Sequence, residues 1–176
     1  ESCSLIADNF LHDWGGSSEG GITFSGYWTN ATGRNGCEVR NNVIAGVAGF
    51  AGIHLAGPNS ATYKFTNTKL YNNTIYNNSG LGILINSAYQ HDNITMFNNM
   101  VWDNGSGAQF NGASGRLASH NSNLFWNSAG GIVATYGSTN YTASNITSFE
   151  SLSKSADPFV ISTAPPYVQA NFKLQS

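Results

Sequence analysis

Residues 70–76 read Leu70-Tyr71-Asn72-Asn73-Thr74-Ile75-Tyr76, and after a glycine turn the chain continues Gly82-Ile83-Leu84-Ile85. The asparagine step recurs at Asp8-Asn9-Phe10-Leu11, Asn41-Asn42-Val43-Ile44, Asn98-Asn99-Met100-Val101 and Ser122-Asn123-Leu124-Phe125. Its second residues, Asn9, Asn42, Asn73, Asn99 and Asn123, lie 33, 31, 26 and 24 residues apart. An interval that settles near two dozen residues is that of a solenoid coil, and the longer early intervals imply loops inserted in the first two coils.

The glycine landmark repeats as well, at Gly21-Ile22-Thr23-Phe24, Gly52-Ile53-His54-Leu55, Gly107-Ala108-Gln109-Phe110 and Gly131-Ile132-Val133-Ala134. Strand alternation places Ile22, Ile53, Ile83, Ala108 and Ile132 on one face, with Phe24, Leu55, Ile85, Phe110 and Ala134. A third strand precedes each step and turns Ile6, Val39, Leu70 and Met96 inward, with His120 in that place in the fifth coil. Short strands, frequent turns and three apolar faces per repeat predict an all-β chain, a right-handed parallel β-helix of about five coils. An asparagine at a corner tolerates unusual backbone angles, and its amide can bond the same amide one coil away. These asparagines are therefore scaffold, and the glycines read as coil turns that want positive φ.

At 176 residues the chain is long enough for one domain with a continuous core. Only 9% of residues are charged, against about a quarter in ordinary domains, so Asn, Ser, Thr and Gly make the surface. Seven scattered Lys and Arg exclude nucleic acid as a partner, because phosphate binding needs clustered cations. No apolar run reaches the length of a membrane span, so membrane insertion is not expected. Cys3 and Cys37 are either buried thiols or a bridge between neighbouring coils. Glycosylation triplets begin at Asn30, Asn72, Asn77, Asn93, Asn104, Asn140 and Asn145, which weakly supports an extracellular setting.

The Asn-Asn-x-Ile steps and Gly-Ile-x-Leu strands resemble those of the pectate-lyase-like family of parallel β-helix repeat proteins, over residues 2–135. The tail, Ala156-Asp157-Pro158-Phe159-Val160 followed by Asn171-Phe172-Lys173-Leu174-Gln175-Ser176, looks like the closing segment of secreted members. The resemblance implies coils over 1–148, a closing segment over 149–176 that packs on the solenoid, and a secreted or cell-surface location. It also implies a C-terminal piece of a longer protein, since the start lacks the family's capping helix. Calcium is the one cofactor implied, and by resemblance only. The column that carries calcium carboxylates in several family lyases reads Thr23, His54, Leu84, Gln109 and Val133, without a carboxylate.

Function on a solenoid resides in its outward columns and inserted loops. Tyr76, Trp102 and Trp126 fall three residues after successive steps and form an aromatic strip. Such a strip stacks on sugar rings, or is covered by the C-terminal tail or a partner chain. The neighbouring column Phe10, Val43, Thr74, Met100 and Leu124 is apolar too. Another column puts Arg40 over Tyr71, and Glu38 beside Lys69 reads as a surface ion pair. In the inserted loops, Asp13 and Glu19 are the candidate carboxylate pair for glycoside cleavage, with Arg34 and His54 as further catalytic candidates. Trp14 and Trp28 join the strip as candidate sugar-binding residues. His54 reads first as an ordinary surface histidine, and no metal-binding spacing is present. Two functions follow. One is a polysaccharide-binding protein that, as an enzyme, would be a hydrolase or lyase. The other is a structural or adhesive element that self-associates by stacking solenoid ends or apolar faces.

Overall fold

The first residue of every asparagine step turns the chain, and the second fastens it. Asp8, Asn41, Asn72, Asn98 and Ser122 all adopt left-handed backbone, with φ between 54 and 61°. That conformation costs most L-residues roughly 1–2 kcal/mol, and Asn and Asp visit it most readily. The next residue, from Asn9 through Asn42, Asn73 and Asn99 to Asn123, turns its amide along the stack. Each Nδ2 donates to the next Oδ1 at 2.9–3.0 Å, and the same Oδ1 accepts the backbone N–H of the asparagine before it. The second proton of Asn42, Asn73, Asn99 and Asn123 goes to the carbonyl of Ile6, Val39, Leu70 or Met96. Polar groups that the corner would strand are thereby satisfied.

The computed structural model describes residues 5–16, 20–25, 34–56, 65–86, 91–105, 107–160 and 164–172, the side chains of Ser25, Arg34 and Asn171 excepted. Three sheets run through it. The first stacks Leu5–Ala7, Glu38–Arg40, Lys69–Tyr71, Ile94–Phe97 and Leu117–Asn121. The second stacks Phe10–His12, Val43–Ala45, Thr74–Tyr76, Met100–Trp102 and Leu124–Trp126. The third stacks Gly20–Ser25, Ala51–Ala56, Leu81–Ile85, Phe110–Gly112 and Ile132–Tyr136, and ends on the antiparallel Thr139–Thr142. Every other pairing within these sheets is parallel. The chain is a parallel β-helix.

Registers in the first two sheets follow the asparagine step. Ile6, Val39, Leu70, Met96 and His120 stand in line, as do Leu11, Ile44, Ile75, Val101 and Phe125. Most of these side chains are fully buried, each worth roughly 1.5–3 kcal/mol. The third sheet departs from expectation in its last two coils. Ile22, Ile53 and Ile83 continue into Phe110 and Ala134, not Ala108 and Ile132, so the register slips by one alternation. The glycines explain the slip. Gly107 and Gly131 are turn residues with φ of 88 and 86°, ahead of the strand, whereas Gly21, Gly52 and Gly82 lie within it. These three serve space rather than positive φ: a Cβ on them would meet Ile44, Ile75 and Val101 at 2.1–2.5 Å.

The C-terminal segment closes one end of the stack. Phe149 packs on Phe110, Phe125, Tyr136 and Tyr141, and its ring stacks on His120 at 4.6 Å. This is why a histidine is admitted to the fifth rung of an apolar column. Lys154 exchanges backbone bonds with Asn123 and Phe125, which pairs the last strand of the second sheet. Two smaller expectations are settled nearby. Cys37 is buried and disulfide-bonded, while Cys3 lies outside the described residues. Glu38 stands in register with Lys69 but takes the Tyr71 hydroxyl and lies 3.7 Å from Arg40 Nε. The expected Glu38–Lys69 pair gives way to them.

Candidate functional site

Between the second and third sheets a second corner column runs Asp13, Gly46, Asn77, Asp103. All four residues are left-handed, with φ of 51, 66, 48 and 48°, and each donates its N–H to the strand one level on. Inside this corner lies another amide ladder. Val47 N donates to Asn78 Oδ1, Asn78 Nδ2 to Asn104 Oδ1, and Asn104 Nδ2 to Gln109 Oε1. Gln109 is fully buried as that terminus, and the strand column in which it was expected holds Asn111 instead.

The corner is concave outside. A groove of about 380 Å³ is lined by Asp13, Gly46, Ala48, Asn77, Ser79 and Gly105, with Pro165 and Tyr167 of the tail as its wall. Asn77 Nδ2 donates to the Tyr167 hydroxyl, fixing that wall. Beside it, across Val47, lies an apolar cavity of about 220 Å³ formed by Phe10, Leu11, His12, Trp14 and Gly21. His12 connects the two: its ring stacks on Phe10 at 4.5 Å, and Nδ1 is 3.0 Å from Asp13 Oδ2. Trp14 is 67% exposed.

The described residues among the expected catalytic set, Asp13, Arg34 and His54, stand at three different places on the coil. Asp13 lines the groove, and Glu19 lies outside the described residues. Arg34 begins the short strand Arg34–Asn35, between the third and first sheets and so at a different corner from Asp13. His54 stands between Thr23 and Leu84 in the middle of the third sheet. It is 6% exposed, with the Phe50 ring 5.8 Å away, so it is not an ordinary surface histidine.

Among the expected sugar-binding residues, Trp14 is open and Trp28 lies outside the described residues. Tyr76 and Trp102 stack at 4.8 Å in the predicted strip, with Trp126 next in register. The tail roofs them: Val160, Tyr167 and Phe172 form one buried cluster with Ala45, Tyr76 and Trp102, against which Phe10, Val43, Met100 and Trp126 pack. At 1% exposure Trp102 has no free face for a sugar.

Asn77, Ser79 and Tyr167 are the lining residues that sequence reading missed. In sequence, Asn77 and Ser79 belong to a glycosylation triplet. A recurring Asn five residues after the step, at Asn78 and Asn104, was the signal that marks this corner. Tyr167 gave no local signal. Among the described residues, no three His, Cys, Asp or Glu side chains group to hold a metal ion. No family model, curated protein or solved structure matches the chain.

Proposed function

We propose that the protein binds a polysaccharide along the groove at the Asp13–Asn77 corner, with Trp14 as the exposed aromatic platform. The observation that carries this reading is the juxtaposition of an open tryptophan with a shallow groove of hydroxyl, amide and carboxylate groups crossing successive coils. Sugars are recognised in this way: an aromatic face covers the apolar side of the ring, while polar groups take its hydroxyls. The resemblance to pectate-lyase-like repeat proteins supports a glycan ligand, and the disulfide at Cys37 supports a secreted or cell-surface setting. Binding is proposed rather than cleavage, because Asp13 is the sole carboxylate among the groove's described lining residues.

Affinity electrophoresis against a panel of soluble polysaccharides tests the reading. At least one glycan should retard the protein, and Trp14→Ala should weaken that retardation about tenfold or more, equivalent to about 1.4 kcal/mol. Equal retardation of the Trp14→Ala and parent proteins would sink it.

A further inference from the structure

We infer that the ligand of this groove is an uncharged, extended glycan lying along the solenoid axis, one ring per coil. The inference rests on the polysaccharide reading above and names the substrate class. Its first support is the repeat of the floor. Asp13, Gly46 and Asn77 occupy equivalent places on successive coils, and so do Ala48, Ser79 and Gly105 at the glycine side. Stacked strands lie about 4.8 Å apart, close to the advance of one pyranose ring in an extended β-linked chain. A polymer along the axis therefore meets an equivalent backbone position at every ring, with polar side chains at Asp13, Asn77 and Ser79, whereas one lying across the axis would leave the groove after a single coil.

The second support is the smallness of that floor. Gly46, Ala48 and Gly105 leave room for a flat ring. The two glycines also let the protein close on itself, since a Cβ on Gly46 would meet the Tyr167 ring at 2.6 Å and one on Gly105 the Ser79 carbonyl oxygen at 2.6 Å, so Ala48 is the floor position a larger side chain can test. The third support is charge. Asp13 is the one ionisable carboxylate of the groove's described lining, and it is about half exposed. The chain has seven Lys and Arg in all. Arg40 sits by Asp8 and Glu38, and Arg116 by Asp92, while Lys69 lies in the first sheet. Lys154 pairs with Leu124 at the closed end, Arg34 is at another corner, and Lys64 and Lys173 lie outside the described residues. A uronate polymer carries a carboxylate on each ring and would face Asp13 with no described Lys or Arg to neutralise it, the neighbouring His12 being held by Asp13 itself. A neutral polymer meets Asp13 as a hydrogen-bond acceptor for its hydroxyls.

The test is titration calorimetry of the full chain with mixed-linkage β-glucan and β-mannan as neutral probes. Polygalacturonate and alginate, each with and without calcium, serve as uronate probes, and chitosan as the cationic one. Tightest binding to a neutral probe, insensitive to ionic strength, is the expected result. Asp13→Asn keeps the left-handed corner and should lower neutral affinity by no more than about fivefold, the loss of one modest hydrogen bond. Ala48→Leu fills the floor and should abolish binding while leaving the melting temperature in place. Tightest binding to a uronate or to chitosan would overturn the uncharged class and leave the polysaccharide reading standing. Wild-type affinity in Ala48→Leu would overturn the axial placement. Binding to none of the probes, nor to any member of the wider panel, would overturn the polysaccharide reading itself.

Discussion

Glu150 accepts the Asn123 side-chain amide through both carboxylate oxygens, each at 3.0 Å, where earlier rungs offer the next asparagine. Ser153 Oγ accepts the Asn123 backbone N–H at 2.9 Å and donates to Glu150, while His120 Nδ1 lies 3.1 Å from the other carboxylate oxygen. A serine and a glutamate from the tail thus replace a sixth rung. Glu150→Ala takes the carboxylate acceptor from the Asn123 amide, which keeps the Met96 carbonyl, and from the Ser153 hydroxyl and His120, and should destabilise the fold by about 2–4 kcal/mol. Glu150→Gln keeps one acceptor and should cost less than half as much. Urea denaturation measures both; equal losses would mean that the full carboxylate, and not side-chain packing or a single acceptor, is what matters.

Neighbouring asparagines in one step should respond in opposite ways. Asn99 is buried and bridges Asn73, Asn123 and the carbonyls of Leu70 and Phe97, so Asn99→Ala should cost about 3 kcal/mol or more. Asn98 is exposed with φ of 54°, and Asn98→Gly should be near neutral. Asn98→Val places a branched side chain in left-handed backbone and should cost about 1–2 kcal/mol. Thermal melts of the three variants separate the hydrogen-bonding requirement from the conformational one.

His91 makes the fold acid-sensitive. It is fully buried, accepts the Phe65 N–H at Nδ1 and donates from Nε2 to the Leu55 carbonyl, 3.1 Å away. Burial pushes its pKa from 6.5 down to about 4; the bond to Leu55 opposes this, and the nearby Arg116 charge adds to it. The folded state therefore holds the neutral ring. Below pH 6.5 the unfolded chain gains a proton that the folded one refuses, so stability falls by up to about 1.4 kcal/mol per pH unit until the folded pKa near 4 is reached. Above pH 6.5 the residue contributes no slope. His91→Gln can keep both hydrogen bonds and should remove this component. The difference in urea midpoint between parent and variant should then narrow as pH drops through that window, and a constant difference would refute the assignment.

How legible this was depended on whether a residue marks a fixed place in the coil. The asparagine step does, because one left-handed residue followed by one inward amide has few substitutes, and two sheets could be registered from it. Glycine does not: Gly82 admits Val101 to close approach, Gly107 turns the chain, and the two look alike in sequence. The third sheet slipped for that reason. Asp13 and Trp14 could be found because an inserted loop announces itself by length. The Tyr167 wall could not, since it reaches Asn77 from 90 residues away, and the burial of His54 and His91 likewise depends on distant packing.

Trp14 and Trp102 should separate binding from stability. Trp102 lies between Tyr76 and Phe172 beneath the tail, so Trp102→Ala opens a cavity in a packed cluster and should cost about 3–5 kcal/mol. Trp14 is largely in solvent, and its replacement by alanine should change stability by less than about 0.5 kcal/mol. Differential scanning calorimetry distinguishes them, and a large loss in Trp14→Ala would show that its ring is held by contacts rather than offered to a ligand.

Removal of residues 149–176 should convert the closed end into an adhesive one. The last strand of the second sheet would lose its backbone partners at Lys154, Asn123 would lose Glu150 and Ser153, and Phe110 and Phe125 would lose Phe149. Tyr76 and Trp102 would be uncovered at the same time. An unpaired parallel edge beside fresh apolar surface is a template for another chain. The truncated protein should elute as concentration-dependent oligomers in light-scattering chromatography and bind a hydrophobic dye, where the full chain does neither to the same extent. Glu150→Ala supplies the comparison, since it weakens the cap while the roof over Trp102 remains. If the point variant oligomerises as readily as the truncation, the exposed strand edge is the driver. If it stays dispersed, the uncovered aromatic strip is.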